Sequence, residues 1–446
     1  MENYFLISFF AILFNFQECF DRRSFETFKI LMEGWILAPG RRTITNIIRA
    51  AGGAQKKNYS NFHRFFSRAR WDLDEVCRIL VQKIINPILP DGEITIAGDD
   101  TTCHKTGEKI AYAGIYRDAV RSSKKKAILH WAHNWVILGI VVQVPFFSDW
   151  KICLPVLFRL YRKQEDCDSE HPFKTRQQLL LEMVELLVNW LPERKFRLLI
   201  DGGFVSNELI PFLPKNVIVI GRIRCDAALY EQVKERSPRK RGRPRKKGAR
   251  LPSLREISKQ NKREWKQIKI IIDGKEVIRE ITKIVAIWYK IIKDNPVAIV
   301  IIRDPKGKAR AEYLFTTNVS LTAEDIVFSY QYRWPIEEAI REGKQYLGFE
   351  DSQAYVKNSV LRQAPLALIL LSIIKVVYIQ YLKTSNKDII IETDPWNPNK
   401  ARASFLDILA EFRRELWLTN IFCISQFNHK DRKIISHLIN IISKAA

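Results

Sequence analysis

Between Tyr330 and Lys344 the chain reads Tyr330-Gln-Tyr-Arg333-Trp-Pro335-Ile-Glu337-Glu-Ala-Ile-Arg341-Glu-Gly-Lys344. Pro335 suits the first turn of a helix, where its missing N–H is no loss. Glu337, Arg341 and Lys344 then recur at helical spacing on one face, with Tyr330 and Arg333 just ahead of it. One carboxylate among several phosphate-seeking groups suits metal-assisted chemistry on a DNA backbone. The acid holds a divalent cation, and the cations hold the phosphate. Two upstream segments offer further acids. Glu93-Ile-Thr-Ile-Ala-Gly-Asp99-Asp100-Thr101-Thr102 is a β-like run ending in acids, and Phe196-Arg-Leu-Leu-Ile-Asp201-Gly202-Gly-Phe204 reads as a buried strand ending in Asp201. Neighbouring strand residues face opposite ways, so one of Asp99 and Asp100 serves as the ligand, with Asp99 preferred.

The spacing Tyr-x2-Arg-x3-Glu-x6-Lys is met by Tyr330, Arg333, Glu337 and Lys344. It resembles the Y-R-E-K signature of one branch of bacterial insertion-sequence DDE transposases. The first acidic motif of that family often reads Asp-x-Thr, which Asp99 with Thr101 and Asp100 with Thr102 both satisfy. The second, an apolar strand followed by Asp-Gly-x-Phe, fits Asp201, Gly202 and Phe204. The resemblance covers about residues 95–350. It implies an α/β protein with an RNase H-like catalytic core, in which acids from two strands and a later helix converge. It further implies two Mg²⁺ (or Mn²⁺) ions on Asp99 or Asp100, Asp201 and Glu337, and oxygen-only ligands favour these ions over zinc. The implied reactions are cleavage at transposon ends and strand transfer into target DNA, cut-and-paste through a hairpin. Tyr330, Arg333 and Lys344 would bind phosphate near the cleaved end, and Trp334 would pack. For Arg333 and Lys344 the alternative is a surface salt-bridge pattern with Glu337 or Glu338, worth little. Two other functions stay open: a catalytically inactive DNA-binding repressor of the same descent, and an RNase H-like nuclease without strand transfer. Because both ends must be held together, a homodimer on double-stranded DNA is expected.

Charge agrees with a nucleic-acid partner. Lys and Arg number 73 against 49 acids, a formal charge of +24 on 446 residues, and such an excess suits a polyanion. A hydrophobic content of 47% is that of a globular chain rather than a disordered one. The seven cysteines form no CxxC pair, which suits reduced thiols and a cytoplasmic protein. Cys103-His104 stands alone as a ligand pair, so a structural zinc site is not expected. The apolar run from Phe5 carries Glu2 rather than a basic segment ahead of it and reads as a core helix. Leu366–Tyr378 is interrupted by Lys375 and also reads as a buried helix, leaving no membrane partner.

These residues need elements to position them. Residues 1–90 read as a helical DNA-binding domain, with Arg64 and Arg68 in a basic and aromatic stretch suited to DNA contact. Residues 91–204 read as the first half of the core, with strands at Ile94–Ala97, Trp135–Val144 and Arg197–Ile200 and a helix from Lys174 to Leu191. His130 and His133 are candidate ligands there, although core histidines are commoner, and Lys105 is placed to touch DNA or to serve as a loop lysine. Residues 205–320 read as a β-rich insertion domain, because that length is too great for a loop. Its Trp265 and Trp288 are candidates to stack on a flipped base, though each fits a β core better. Its basic stretch, Lys234 to Arg250, has no apolar periodicity and presents Arg241, Arg243, Arg245, Lys246 and Lys247 to DNA. Its Arg-Gly-Arg-Pro segment resembles an AT-hook. Residues 321–358 complete the core, opening on the capping-box-like Thr322-Ala-Glu-Asp325, and residues 359–446 form a helical C-terminal region.

Overall fold

Apolar residues at helical spacing dominate the first ninety positions, and helices form there: α1 (Tyr4–Phe14), α2 (Arg22–Leu37), α3 (Ile44–Ala50), α4 (Gly53–Lys56), α5 (Tyr59–Ser67) and α6 (Leu73–Ile88). Strands follow: β1 (Ile94–His104), β2 (Gly114–Arg117), β3 (Leu129–Gln143) and β4 (Lys151–Tyr161). Next come α7 (Arg176–Trp190), β5 (Phe196–Ile200), β6 (Val217–Arg222), α8 (Leu254–Ser258), β7 (Lys266–Ile272), β8 (Lys275–Ile287), α9 (Tyr289–Ile292), β9 (Pro296–Arg303) and β10 (Glu312–Thr316). The chain closes with α10 (Ala323–Gln331), α11 (Trp334–Leu347), α12 (Lys357–Ser385), α13 (Phe405–Leu416) and α14 (His429–Ser443). This computed structural model is a mixed α/β protein. It describes residues 3–444 except 119, 120, 124, 234–245, 262, 273–274, 390, 392–396 and 422–428. Contacts divide the chain into two compact units. A strand unit comprises Gly92–Asp99 and Lys174–Pro335; a helical unit comprises Met1–Asp91, Asp100–Phe173 and Ile336–Ala446.

In the strand unit, β1 pairs parallel with β5 and β5 parallel with β6. Beyond β6 the sheet turns antiparallel, in the order β10, β9, β8, β7. The nearly unbroken apolar sequence of β5 is what a strand covered on both faces requires. α7 starts at a capping box between Thr175 and Gln178 and brings Leu180 against β1. A Cβ on Gly98 would meet the Leu180 side chain at 2.8–2.9 Å, so glycine lets the helix approach. Residues 205–320 contribute β6 to β10, which continue this sheet outward from β5. Trp288 is buried edge-on against Phe315, and Trp265 lies 3.8 Å beneath the Arg303 guanidinium. The expected capping box at Thr322 and Asp325 opens α10.

In the helical unit, β3 pairs antiparallel with β2 and β4. The sequence reading missed β4 because Pro155 sits in its middle, where a proline argues against a strand. The sheet accommodates it with a register shift at Leu138/Gly139, and the Pro155 carbonyl accepts from Ser372 Oγ at 2.8 Å. Ser372 belongs to α12, which is apolar and long enough to cross a membrane, but 89% of its apolar window is buried inside the protein. Lys375, the charge interrupting that window, pairs with Glu342 of α11 at 2.6 Å. α13 meets N-terminal helices here: the Phe5 and Phe412 rings of α1 and α13 lie 5.2 Å apart, and Arg413 Nε donates to Ile36 O of α2 at 2.9 Å.

Candidate active site

The parallel register of β1 and β5 runs from Ile94 opposite Phe196 to Gly98 opposite Ile200. By that register Asp99 and Asp201 come next, just past the carboxyl-terminal end of the paired segment, Asp99 midway along β1 and Asp201 one residue beyond β5. Level residues on paired strands face the same side, so Asp100 faces away from both. In open α/β sheets this end of parallel strands is where ligands bind. Asp201 enters a turn at once: its Oδ1 accepts from Gly203 N at 2.8 Å, and Gln177 Nε2 donates to Gly203 O at 2.7 Å. Phe204 anchors the turn in the core.

Arg333 NH1 lies 3.3 Å from Asp99 Oδ2, with both side chains largely buried. The Tyr330 ring sits between two guanidiniums, those of Arg222 and Arg333, each 5.9 Å from its centroid. Burial pushes the Tyr330 hydroxyl pKa up, against the pull of those two cations. Sequence reading missed Arg222; its only signal was a basic residue closing an apolar strand. Trp334, expected to pack, is instead 53% exposed at the start of α11.

The remaining signature residues belong to the helical unit. Glu337 lies in the first turn of α11, where a carboxylate is favoured by the helix dipole, and is half-buried. Lys344, in the last turn, donates to Thr102 O at 2.7 Å and pairs with Glu350, a partner the spacing did not suggest. Arg341 pairs loosely with Glu338 at 3.7 Å. Lys105 is only 8% exposed, and its Nζ donates to the carbonyls of Glu350 and Ser352. Its burial lowers its pKa. Lys105 is thus used by the fold and points at carbonyls rather than at solvent.

On α5, Phe62, Phe65 and Phe66 are buried while Arg64, and Arg68 just past the helix, are exposed. These two arginines line a cavity of about 610 Å³ with Arg23, Lys57 and Asn61. Of the basic stretch, Arg241, Arg243 and Arg245 lie outside the described residues. Lys246 pairs with Asp294 at 2.8 Å, and Lys247 sits 3.9 Å over the Tyr230 ring. The two candidate histidines part ways. His133 is buried, its Nε2 is 2.9 Å from Ala111 O, and burial pushes its pKa down to about 4. His130 instead meets His104 and Asp118. The expectation that His104 lacks partner ligands is therefore corrected. The partners are distant in sequence: β2 pairing with β3 brings Asp118 to His130, and β1 beside β3 brings His104.

Asp99 and Asp201 offer the hard oxygen donors that Mg²⁺ and Mn²⁺ take, and the Arg333 cation beside Asp99 marks where positive charge is wanted. A carboxylate pair just past the parallel pairing of two strands, flanked by arginine and tyrosine, can hold a divalent cation and a phosphate side by side. Comparison with known proteins points the same way. The family model described as DDE superfamily endonuclease matches residues 15–282, which include Asp99 and Asp201. A second, described as archaeal putative transposase ISC1217, matches residues 257–388, which include Tyr330 to Lys344. A probable transposase for insertion sequence element IS701 from Microchaete diplosiphon is 26% identical over 167 residues, 37% of this chain. The matched region spans 40% of the length of that relative. With the first model covering more than half of its length, the chain belongs to the DDE superfamily endonucleases.

Proposed function

We propose that this protein is a DNA transposase that cuts at transposon ends and joins them to target DNA, with Asp99, Asp201 and Glu337 as its catalytic carboxylates. The observation that carries this reading is the level placement of Asp99 and Asp201 on parallel strands, with Arg333 against Asp99. Glu337 joins them because it follows Arg333 by one helical turn of chain. Two Mg²⁺ (or Mn²⁺) ions on these carboxylates would supply the Lewis acidity that activates a water or 3′-OH and stabilises the leaving oxygen. The core that carries the two aspartates is RNase H-like, built on β1, β5, β6 and α7.

The chain's own groups bind and orient the DNA. Arg333 exchanges Asp99 for a backbone phosphate. Tyr330, whose raised pKa keeps it protonated at neutral pH, donates a hydrogen bond rather than acting as a nucleophile. Lys344 holds the β1 backbone at Thr102 and adds positive charge near the cleaved end. Exposed Trp334 is available to stack. Arg64 and Arg68 on α5 contact phosphates of the transposon end, and the basic stretch containing Arg241, Arg243, Arg245, Lys246 and Lys247 adds non-specific contacts. Lys105, held inside, supports its loop. The reaction proceeds by cut-and-paste through a hairpin, and a homodimer brings two ends together.

The test uses the inverted repeats that flank the gene. Labelled ends are incubated with Mg²⁺ and either wild type or Glu337→Ala, and cleavage is read on a gel. Cleavage by wild type alone, with binding retained in the variant, is the expected result. Binding without cleavage by wild type would replace the reading with an inactive repressor. Cleavage without transfer of the labelled end to a target would leave only a nuclease.

A further inference from the structure

A second donor set lies in the helical unit. His104 closes β1, Asp118 follows β2 directly, and His130 is the second residue of β3. Antiparallel pairing sets Tyr116 opposite His130, so Asp118 emerges just beyond the paired segment. One ligand atom from each of the three side chains lies within 4.8 Å of the other two. His130 Nδ1 is 3.3 Å and His104 Nε2 is 3.9 Å from the same oxygen, Asp118 Oδ2. The two imidazole centroids are 4.1 Å apart.

The side chains of Asp118 and His130 are each only 8% exposed, whereas that of His104 is 45% exposed. His130 Nε2 is buried without a hydrogen-bond partner. A charge-assisted hydrogen bond would draw a donor and Asp118 to about 2.7–2.9 Å. Donors around a tetrahedral ion bound at about 2.0–2.1 Å stand farther apart, at about 3.3–3.4 Å. The His130–Asp118 spacing of 3.3 Å matches that edge length, while the His104–Asp118 spacing of 3.9 Å is beyond hydrogen-bond reach and would close by about half an ångström on an ion. Asp118 Oδ1 is fixed by Arg121 N at 2.9 Å, which orients the carboxylate. The Arg121 guanidinium reaches Oδ2 only at 3.7 Å and is 71% exposed, so it can swing away.

We propose that His104, Asp118 and His130 form a three-ligand site for a divalent transition metal of the zinc type. Two imidazoles and one carboxylate make a set that suits Zn²⁺ far better than Mg²⁺. The ion would tie together the end of β1, the exit of β2 and the start of β3, stabilising the fold by mass action. Water or an anion would complete a tetrahedral set. His104 lines a cavity of about 610 Å³ together with Arg41 and Lys109.

Zn²⁺ titration of the chelator-stripped full chain tests this, with Mg²⁺ in excess to occupy the carboxylate pair. Wild type and Asp201→Asn are expected to take up one tight equivalent. His104→Ala and His130→Ala should each weaken uptake at least about 100-fold. His104→Ala alters an exposed ring, so its circular dichroism in chelator should match wild type even if His130→Ala folds poorly. Co²⁺ gives a second reading: the visible absorption of a four-coordinate site in wild type, lost in His104→Ala. No tight Zn²⁺ uptake by wild type, or uptake unchanged in His104→Ala, would overturn the site.

Discussion

Asp99 and His104 are five residues apart on β1, yet the donor sets they belong to are built in opposite ways. Asp99 and Asp201 directly follow the paired parts of two parallel strands, so the backbone register sets their placement. They are acceptors only, with a guanidinium against one of them. The His104, Asp118 and His130 set draws on a strand end, a strand exit and a strand start, and mixes nitrogen with oxygen. Its spacing depends on three strands rather than on one register. The first set suits a hard ion that must change partners during a reaction. The second suits a softer ion held in place.

The sharpest way to break this contrast is Asp201→Asn. Metal-dependent cleavage should fall at least about a thousandfold, as losing about 4 kcal/mol of transition-state stabilisation requires. Zn²⁺ uptake should not change. A variant that lost both would mean one shared ion, and the contrast would collapse.

The next largest effect separates the two histidines of β3. His133 is buried, and burial holds its pKa near 4, below its ordinary 6.5, with the Ala111 carbonyl opposing. The unfolded chain therefore takes up the proton first as pH falls. His133 contributes stability that is fully present above about pH 6.5 and is lost progressively toward about pH 4, up to about 3 kcal/mol. In chelator, urea midpoints should drop between about pH 7 and about pH 5 for wild type. His133→Phe should flatten that drop. An equal drop in both would assign the acid sensitivity to another group.

A smaller effect tests the packing behind Asp99. Gly98→Ala sets a methyl 2.8–2.9 Å from Leu180 atoms. The flexible leucine can give part of the way, so a loss of about 1–3 kcal/mol in urea unfolding is expected. Cleavage should fall with it if α7 sets the height of Asp99.

How much of this was legible follows from locality. Asp201 could be read because an apolar run ends on it and a glycine turn begins, all within nine residues of sequence. The α11 signature was legible for the same reason. The preference for Asp99 over Asp100 had no local support, because the choice lies in the register with β5, a pairing across about a hundred residues. β4 was hidden by Pro155, whose cost the sheet absorbs at Gly139. The fate of Lys105 was hidden because its carbonyl partners come from Glu350 and Ser352. His104 and His130 were visible as types but not as neighbours, since the meeting of β1 with β3, across about 25 residues, brings them together.

The gentlest probe addresses charge outside both donor sets. Arg64 and Arg68 are exposed on α5, with the phenylalanines of that helix buried, so truncating them should leave the fold intact. If each neutralises one phosphate, the slope of log affinity against log salt should become shallower by about one for each arginine removed. Affinity should weaken alike for transposon ends and for unrelated DNA, because a phosphate contact carries no base information. A loss confined to transposon ends would instead make α5 a reader of sequence. An unchanged slope would move the DNA-facing surface off α5, leaving the basic stretch to carry the electrostatic attraction.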